Sequence, residues 1–139
     1  MTEQREKLLS LHRYYIWANR MRVHFLDLLS SGDISSSQGK IESRLYLSYW
    51  YGGLYVVVEG WKELDIVDEP IDRLLDSPNV GLLRRFRNGV FHFQKKYNDA
   101  RFFDLIKERE DVVQWVHALN AQFGRYLLEA LHSAKDELS

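Results

Sequence analysis

The sequence predicts an all-α fold, an antiparallel bundle of about four main helices with short helical segments between them. Apolar residues recur at spacings of three and four along most of the chain, which is the period of a helix that packs on one face. Neither an alternating strand pattern nor an internal repeat is found in it. The 139 residues, 45% of them hydrophobic, predict one domain over 1–139 with its own core.

The first half of the chain predicts two long helices. The first spans about Thr2 to Leu29, and a loop rich in serine and glycine follows from Ser30 to Gly39. The second helix spans about Ile41 to Leu64 and is apolar on nearly every side. More than one neighbour has to cover such a helix, and a second copy of the chain is one candidate. Glycines in this helix, which weaken it in isolation, indicate close approach of another helix; they are Gly52, Gly53 and Gly60.

The second half predicts two short helices and two longer ones. They cover, in order, about Asp68 to Asp76, a segment from Pro78 to about Lys96, Ala100 to Lys107, and about Glu110 to Asp136. For the segment that starts at Pro78, which we call the motif helix, Ser77 is the predicted N-cap and Pro78 the first helical residue. Val112, Val116, Leu119, Phe123, Tyr126 and Ala130 form the apolar stripe of the last helix.

The motif helix gathers the most chemically capable side chains. At about 100° per residue, one arc of about 100° is apolar and faces the core, and an opposite arc of about 140° is basic. The apolar arc holds Leu82, Leu83, Phe86, Val90 and Phe93, and the basic arc holds Arg84, Arg87, Asn88, His92 and Lys95. Phe91 also lies in the basic arc, which indicates contact with a base, a partner chain or another helix.

Arginine and histidine together suit phosphodiester chemistry. The guanidinium is always charged and presents a planar fork of donors to phosphate oxygens, and the imidazole can exchange a proton near neutral pH. A basic arc opposite an apolar stripe is, however, most often only a solvated face. Glu59, within the apolar second helix, requires a partner if it is buried. Either a basic residue of the motif helix supplies that partner, or Glu59 reaches solvent.

The charge distribution is uneven although the net charge is only −1. Residues 84–101 carry six basic residues and one acidic residue, whereas residues 63–76 carry six acidic residues and one basic residue. The basic window fits a confined anionic ligand better than a long duplex, unless the two windows pair with each other.

Several classes of function are disfavoured. The chain has no cysteine, which excludes disulfides, thiolate metal sites and a cysteine nucleophile. A phosphate-binding loop, a dinucleotide-binding fingerprint and an arguable serine triad are all missing from the sequence, so we expect no cofactor. The N-terminus is charged, and no apolar run approaches transmembrane length. We therefore predict a cytoplasmic protein that does not bind membranes.

The run Arg87-Asn88-Gly89-Val90-Phe91-His92, late in a small helical bundle, resembles the signature of the HEPN superfamily. That signature is an arginine, four to six residues, then a histidine, often with a polar residue after the arginine. The resemblance implies a homodimer in which two motif helices face each other across a cleft. It also implies either a metal-independent endoribonuclease of toxin–antitoxin or defence systems, for which an antitoxin is a candidate partner, or a non-catalytic module that binds nucleotides or proteins.

Carried over to this chain, the resemblance implies three catalytic roles. His92 would act as general acid or base when the ribose 2′-hydroxyl attacks the adjacent phosphate, and Arg87 would bind that phosphate. Asn88 would orient one of them, and the products would be a 2′,3′-cyclic phosphate and a 5′-hydroxyl. We add three RNA-backbone contacts, Arg84, Lys95 and Lys96, and give Glu59 a supporting role. One toxin subfamily has a modified tyrosine two residues after the histidine, where this chain has Gln94.

A second run, Tyr14-Tyr15-Ile16-Trp17-Ala18-Asn19-Arg20, resembles the opening helix of the DinB-like metal-dependent bundles. That family usually binds a divalent metal through three histidines. The second helix of this chain lacks the expected histidine, and its five histidines show no paired metal-ligand spacing. We therefore predict no metal site.

Overall fold

The chain folds into six helices over the residues described by the computed structural model, which are 2–32 and 34–138 with the side chains of Arg109 and residues 133–138 left out. The helices are α1 (Glu3–Ser31), α2 (Ser37–Glu63), α3 (Glu69–Leu75), α4 (Asn79–Phe91), α5 (Ala100–Lys107) and α6 (Arg109–Leu138). Four are long, and α3 and α5 have seven and eight residues. The predicted all-α bundle of four main helices with short segments is therefore confirmed.

Glycines bring α1 and α2 close together in antiparallel orientation. A methyl group added at Gly53 would lie 3.1 Å from Ala18 Cβ, and one added at Gly60 would lie 2.7 Å from Leu11 Cδ1. The contact later in α2, at Gly60, is with the earlier residue of α1, Leu11, so the two helices run in opposite directions. The predicted use of these glycines, close approach of a second helix, is confirmed.

The core is built mainly from α2 and α6, with contributions from every other helix. Its largest fully buried side chains include Trp50, Trp61 and Phe123. One polar residue, Asn120, is buried among them, where it accepts a hydrogen bond from Trp50 Nε1 at 3.2 Å and donates to Asn19 Oδ1 at 3.1 Å. Asn120 thus connects α6 to both α2 and α1 without leaving its own amide unsatisfied.

The acidic and basic windows pair with other parts of the chain. Asp68 accepts from Arg125 on α6 at 2.6 Å, and Arg85 donates to Asp104 on α5 at 2.9 Å. Within the described ranges no ion pair joins the two windows. The basic window is therefore not neutralised by the acidic one.

The motif helix is shorter than predicted. α4 ends at Phe91, and His92 has extended backbone angles of φ −120° and ψ 127°. Phe93, expected in the core-facing stripe, is 92% exposed, and Lys95 and Lys96 lie beyond the helix. Two causes explain the early end: Gly89, Val90 and Phe91 have low helix propensity, and the His92 carbonyl accepts from Gln94 Nε2 at 2.8 Å.

Two smaller corrections concern the residues at which α2 and α4 begin. α2 begins at Ser37 rather than near Ile41, because the Ser36 hydroxyl accepts from the Gly39 N–H at 3.0 Å. The predicted loop is therefore shorter, and its Asp33 lies outside the described residues. At α4, Pro78 is the N-cap and Asn79 the first helical residue, one position later than predicted. The Ser77 hydroxyl still accepts from the Asn79 N–H, at 3.1 Å.

No helix in the described part of the chain has both the length and the apolar character needed to cross a membrane.

Candidate functional site at the end of α4

Asn88 is the residue that connects Arg87 to His92. Its side-chain oxygen accepts from Arg87 Nε at 2.9 Å, and its backbone carbonyl accepts from the His92 N–H at 3.1 Å. The His92 side chain is exposed and makes no hydrogen bond to any described residue. The structure therefore joins the side chains of Arg87 and Asn88, whereas His92 is joined to Asn88 through the backbone alone and follows the helix instead of continuing its polar face.

Arg87 is anchored on α2. Its Cζ lies 4.8 Å from the centroid of the Tyr55 ring, a cation–π contact, and its Nη1 donates to Glu59. The Arg87 side chain is 20% exposed, and its Nη2 makes no hydrogen bond to a described residue. The guanidinium is thus fixed in direction while one end of its donor fork stays available to an anion.

Both expectations for Glu59 hold together. The motif helix supplies its partner through Arg87, and its side chain is also 45% exposed. Glu59 is therefore not a buried charge. Its carboxylate pairs with the Arg87 guanidinium at the protein surface.

Phe91 seats the end of α4 on α2. Its ring lies 5.8 Å from that of Tyr49, and a methyl group added at Gly52 would lie 2.9 Å from Phe91 Cε2. Of the contacts expected for Phe91, the one with another helix is confirmed. Because Gly52 has no side chain, Phe91 can lie against the α2 backbone, and His92 follows it at the edge of this contact.

An apolar groove borders the same edge. Its volume is about 390 Å³, and it is lined by Tyr14, Trp17, Met21, Tyr49, Val56 and Phe91 among others. Trp17 is 59% exposed and Tyr14 39%. We call this surface the apolar groove.

An acidic groove continues from the apolar groove toward the start of α1. It measures about 600 Å³ and shares Tyr14 and Val56 with its neighbour. Four carboxylates and one lysine line it: Glu3, Glu6, Glu59, Glu63 and Lys7. The surface between α1 and α2 is therefore acidic at one end and apolar at the end where Phe91 lines it.

The predicted RNA-backbone residues are dispersed. Arg84 lies on α4, and Lys95 and Lys96 lie in the segment between α4 and α5. All three are exposed, and none has a hydrogen bond or ion pair with a described residue. The structure leaves their positive charges available but does not join them to Arg87 or His92.

Three residues of the site escaped sequence reasoning. Tyr55, under Arg87, belongs to an apolar run that predicts only core. Gln94 and Arg101 are linked by a hydrogen bond of 3.1 Å, seven residues apart and outside any common helix. No periodic signal predicts such a contact, because it depends on the turn that ends α4.

The remaining histidines do not assemble into a metal site. His24 stacks on Tyr46 at 5.3 Å, and His117 is exposed and packs against Trp50 at 5.6 Å. Among the residues whose placement is described, no three metal-ligating side chains come together. The histidine triad that the DinB-like resemblance implies is thus not found there.

No protein-family model matches this chain, and neither a curated protein nor a solved structure matches it.

Proposed function

We propose that this protein is a metal-independent endoribonuclease that cleaves RNA at the end of α4, as the HEPN resemblance implies. The observation that carries the proposal is the double role of Asn88, which bonds the guanidinium of Arg87 and the backbone of His92. A phosphate-binding fork and a proton-transfer group are held in one short segment. Cleavage of a phosphodiester by 2′-hydroxyl attack requires a proton-transfer group and a cation that binds the phosphate, and this segment carries both in His92 and Arg87.

His92 and Arg87 have separate roles in the proposed reaction. His92, as general base, accepts the proton of the 2′-hydroxyl while the 2′-oxygen bonds to phosphorus. Arg87 Nη2 donates to a non-bridging oxygen, whose negative charge grows in the transition state. The bond from phosphorus to the 5′-oxygen breaks, and that oxygen takes up a proton. The products are a 2′,3′-cyclic phosphate and a 5′-hydroxyl.

A homodimer completes this proposal. The reaction needs a proton acceptor and a proton donor, and two copies supply two histidines. The apolar groove ends at Phe91, directly before His92, so a second copy that covers this groove places both His92 residues near one interface. The surface is also complementary to itself in charge. An antiparallel copy sets the acidic groove of one protomer against exposed basic residues at the other end, such as Arg20.

The test is cleavage of a mixed RNA pool by the purified protein in the presence of a metal chelator. We expect products with 2′,3′-cyclic phosphate and 5′-hydroxyl ends. A pool of the same sequences with 2′-O-methyl ribose is the matched control and should remain intact, because it lacks the attacking hydroxyl. Cleavage of the methylated pool, or no cleavage of either pool, would contradict the proposal.

A second candidate function is a non-catalytic module that binds nucleotides or proteins. The favouring observation is that Arg87 already has two polar partners and an aromatic platform within its own chain. An arginine held this way can serve binding alone. A folded dimer that binds RNA with micromolar or better affinity but leaves every phosphodiester intact would establish this function instead.

A further inference from the structure

A chain of side-chain hydrogen bonds leads from α5 to His92. Asp99 caps α5, where its Oδ1 accepts from the Arg101 N–H at 2.9 Å and its two oxygens accept from Arg101 Nη1 at 3.1 and 3.2 Å. Arg101 Nη1 also donates to Gln94 Oε1 at 3.1 Å. Gln94 Nε2 then donates to the His92 carbonyl at 2.8 Å. We call Asp99, Arg101 and Gln94 the clasp.

Gly89 permits the clasp to form. A methyl group added there would lie 3.2 Å from Arg101 Cβ and 3.1 Å from Phe102 Cε1. The first turn of α5 therefore packs directly on the α4 backbone, one residue after Asn88. This close approach brings Arg101 within hydrogen-bonding distance of Gln94. The glycine inside the motif therefore serves to let α5 pack against α4.

The clasp sets the direction of Gln94. The amide oxygen accepts from the charged guanidinium of Arg101, which leaves the NH₂ group to face the His92 carbonyl. The backbone N–H of Arg101, followed by its side chain, lowers the pKa of Asp99, a carboxylate that is ionised at neutral pH in any case. Arg101 thus has a permanent anionic partner, which holds its guanidinium in place for the contact with Gln94.

His92 is consequently held at both of its backbone polar groups. Its N–H donates to the Asn88 carbonyl at 3.1 Å, and its carbonyl accepts from Gln94. We propose that Gln94, oriented by Arg101, is a positioning residue that fixes the backbone at His92, one turn after Asn88. This inference rests on the proposed function. Without the bond from Gln94 the His92 carbonyl loses its partner among the described residues, so the backbone that carries the imidazole is less restrained.

The test combines one structural and one kinetic readout on the full chain. The variants are Gln94→Ala and Gln94→Glu; the glutamate keeps the shape and the contact with Arg101 but has no donor for the His92 carbonyl. Gln114→Ala, at an exposed position of α6, is the matched control. The readouts are the NMR order parameter of the His92 amide and the kcat and KM for an RNA oligonucleotide that the wild-type protein cleaves.

We expect both Gln94 variants to lower the His92 order parameter from about 0.85 to about 0.6. We expect kcat to fall by about tenfold or more while KM changes by less than about twofold, since the histidine is displaced but the phosphate site is intact. Adding Arg101→Ala to Gln94→Ala should cause no further loss, because the two residues act through the same bond.

The possible outcomes separate this inference from the proposed function. An unchanged His92 order parameter in both variants overturns it, as does a lowered order parameter with unchanged kcat. If the wild-type protein cleaves no RNA, the proposed function fails and with it any catalytic role of the clasp. The order parameter then still decides whether Gln94 holds His92.

Discussion

Glu59 on α2 pairs with Arg87 on α4, and the Arg87 guanidinium also stacks on Tyr55, one turn before Glu59 on the same helix. The arginine proposed to bind phosphate is therefore positioned by a neighbouring helix as well as by Asn88 next to it. Two consequences can be separated by experiment: the pair orients Arg87, and it contributes little to stability because Glu59 is 45% exposed.

Replacing Glu59 by alanine should impair RNA cleavage more than stability. We expect kcat to fall by about threefold to tenfold as Arg87 loses its orientation, and the free energy of unfolding to fall by less than about 1 kcal/mol. Kinetics and urea unfolding measure the two effects. Glu63→Ala removes the same charge one turn later on α2 and serves as control. Equal effects of the two substitutions would mean that charge, and not the contact with Arg87, is responsible.

Glycine-to-alanine substitutions at two positions of α4 should have opposite effects. At Gly89 the new methyl group meets Arg101 Cβ and the Phe102 ring, which is itself packed against Phe86. We expect Gly89→Ala to lower the free energy of unfolding by about 1–2 kcal/mol, since overpacking outweighs the gain in helix propensity. At Gly81 a methyl group meets nothing within 4 Å. Gly81→Ala should stabilise by about 0.5–1 kcal/mol in urea unfolding, and a stabilised Gly89→Ala would contradict the packing described for α5.

The stability of the fold should depend on Tyr51 at alkaline pH. Burial raises the pKa of Tyr51 to about 12, against 10.0 for the free side chain. As the pH rises, the unfolded chain therefore loses this proton before the folded protein does. The contribution of Tyr51 to the free energy of unfolding is fully present below pH 10 and is lost as the pH rises from 10 to about 12. Between about pH 9.5 and about pH 11.5, the wild-type protein should lose about 2 kcal/mol more unfolding free energy than Tyr51→Phe. Parallel losses in the two proteins would show that Tyr51 ionises as freely in the fold as in the unfolded chain.

Dimerisation should depend on the apolar groove. Trp17 lines this groove and is 59% exposed, so Trp17→Glu sets a charge in the proposed interface. We expect a monomer by analytical ultracentrifugation and a loss of cleavage of at least about tenfold, because a desolvated unpaired charge costs several kcal/mol. Leu128→Glu changes another exposed apolar residue, 72% exposed on α6, and should leave both properties intact. A Trp17→Glu variant that remains dimeric would place the interface elsewhere.

The helices were predictable because their apolar spacing and caps are local properties of the sequence. The short helix α5 begins and ends at the predicted residues, Ala100 and Lys107, since Asp99 caps it. The glycines of α2 were also interpreted correctly. The end of α4 was not predictable in this way, because the bond from Gln94 to His92 competes with helix propagation and depends on Arg101 beyond the turn.

The candidate site was predictable only where its residues are linked by local sequence. Arg87 and Asn88 are neighbours in sequence, and a pair between Glu59 and a basic residue of the motif helix was one of the two alternatives that the sequence left open. Tyr55 was hidden among other core aromatics. His92 was expected on the helical face, and its actual position depends on tertiary contacts of Gln94 and Arg101 that helical periodicity does not encode.

The central claim is that His92 transfers a proton during RNA cleavage. It is tested most directly by comparing the wild-type protein with His92→Ala on a mixed RNA pool in chelator, with His24→Ala as a control at a histidine outside the site. We predict cleavage by the wild type and by His24→Ala, and a loss of at least about a hundredfold in His92→Ala, the contribution typical of general acid–base catalysis. Equal cleavage by all three proteins would contradict the account and remove the end of α4 as the seat of the activity.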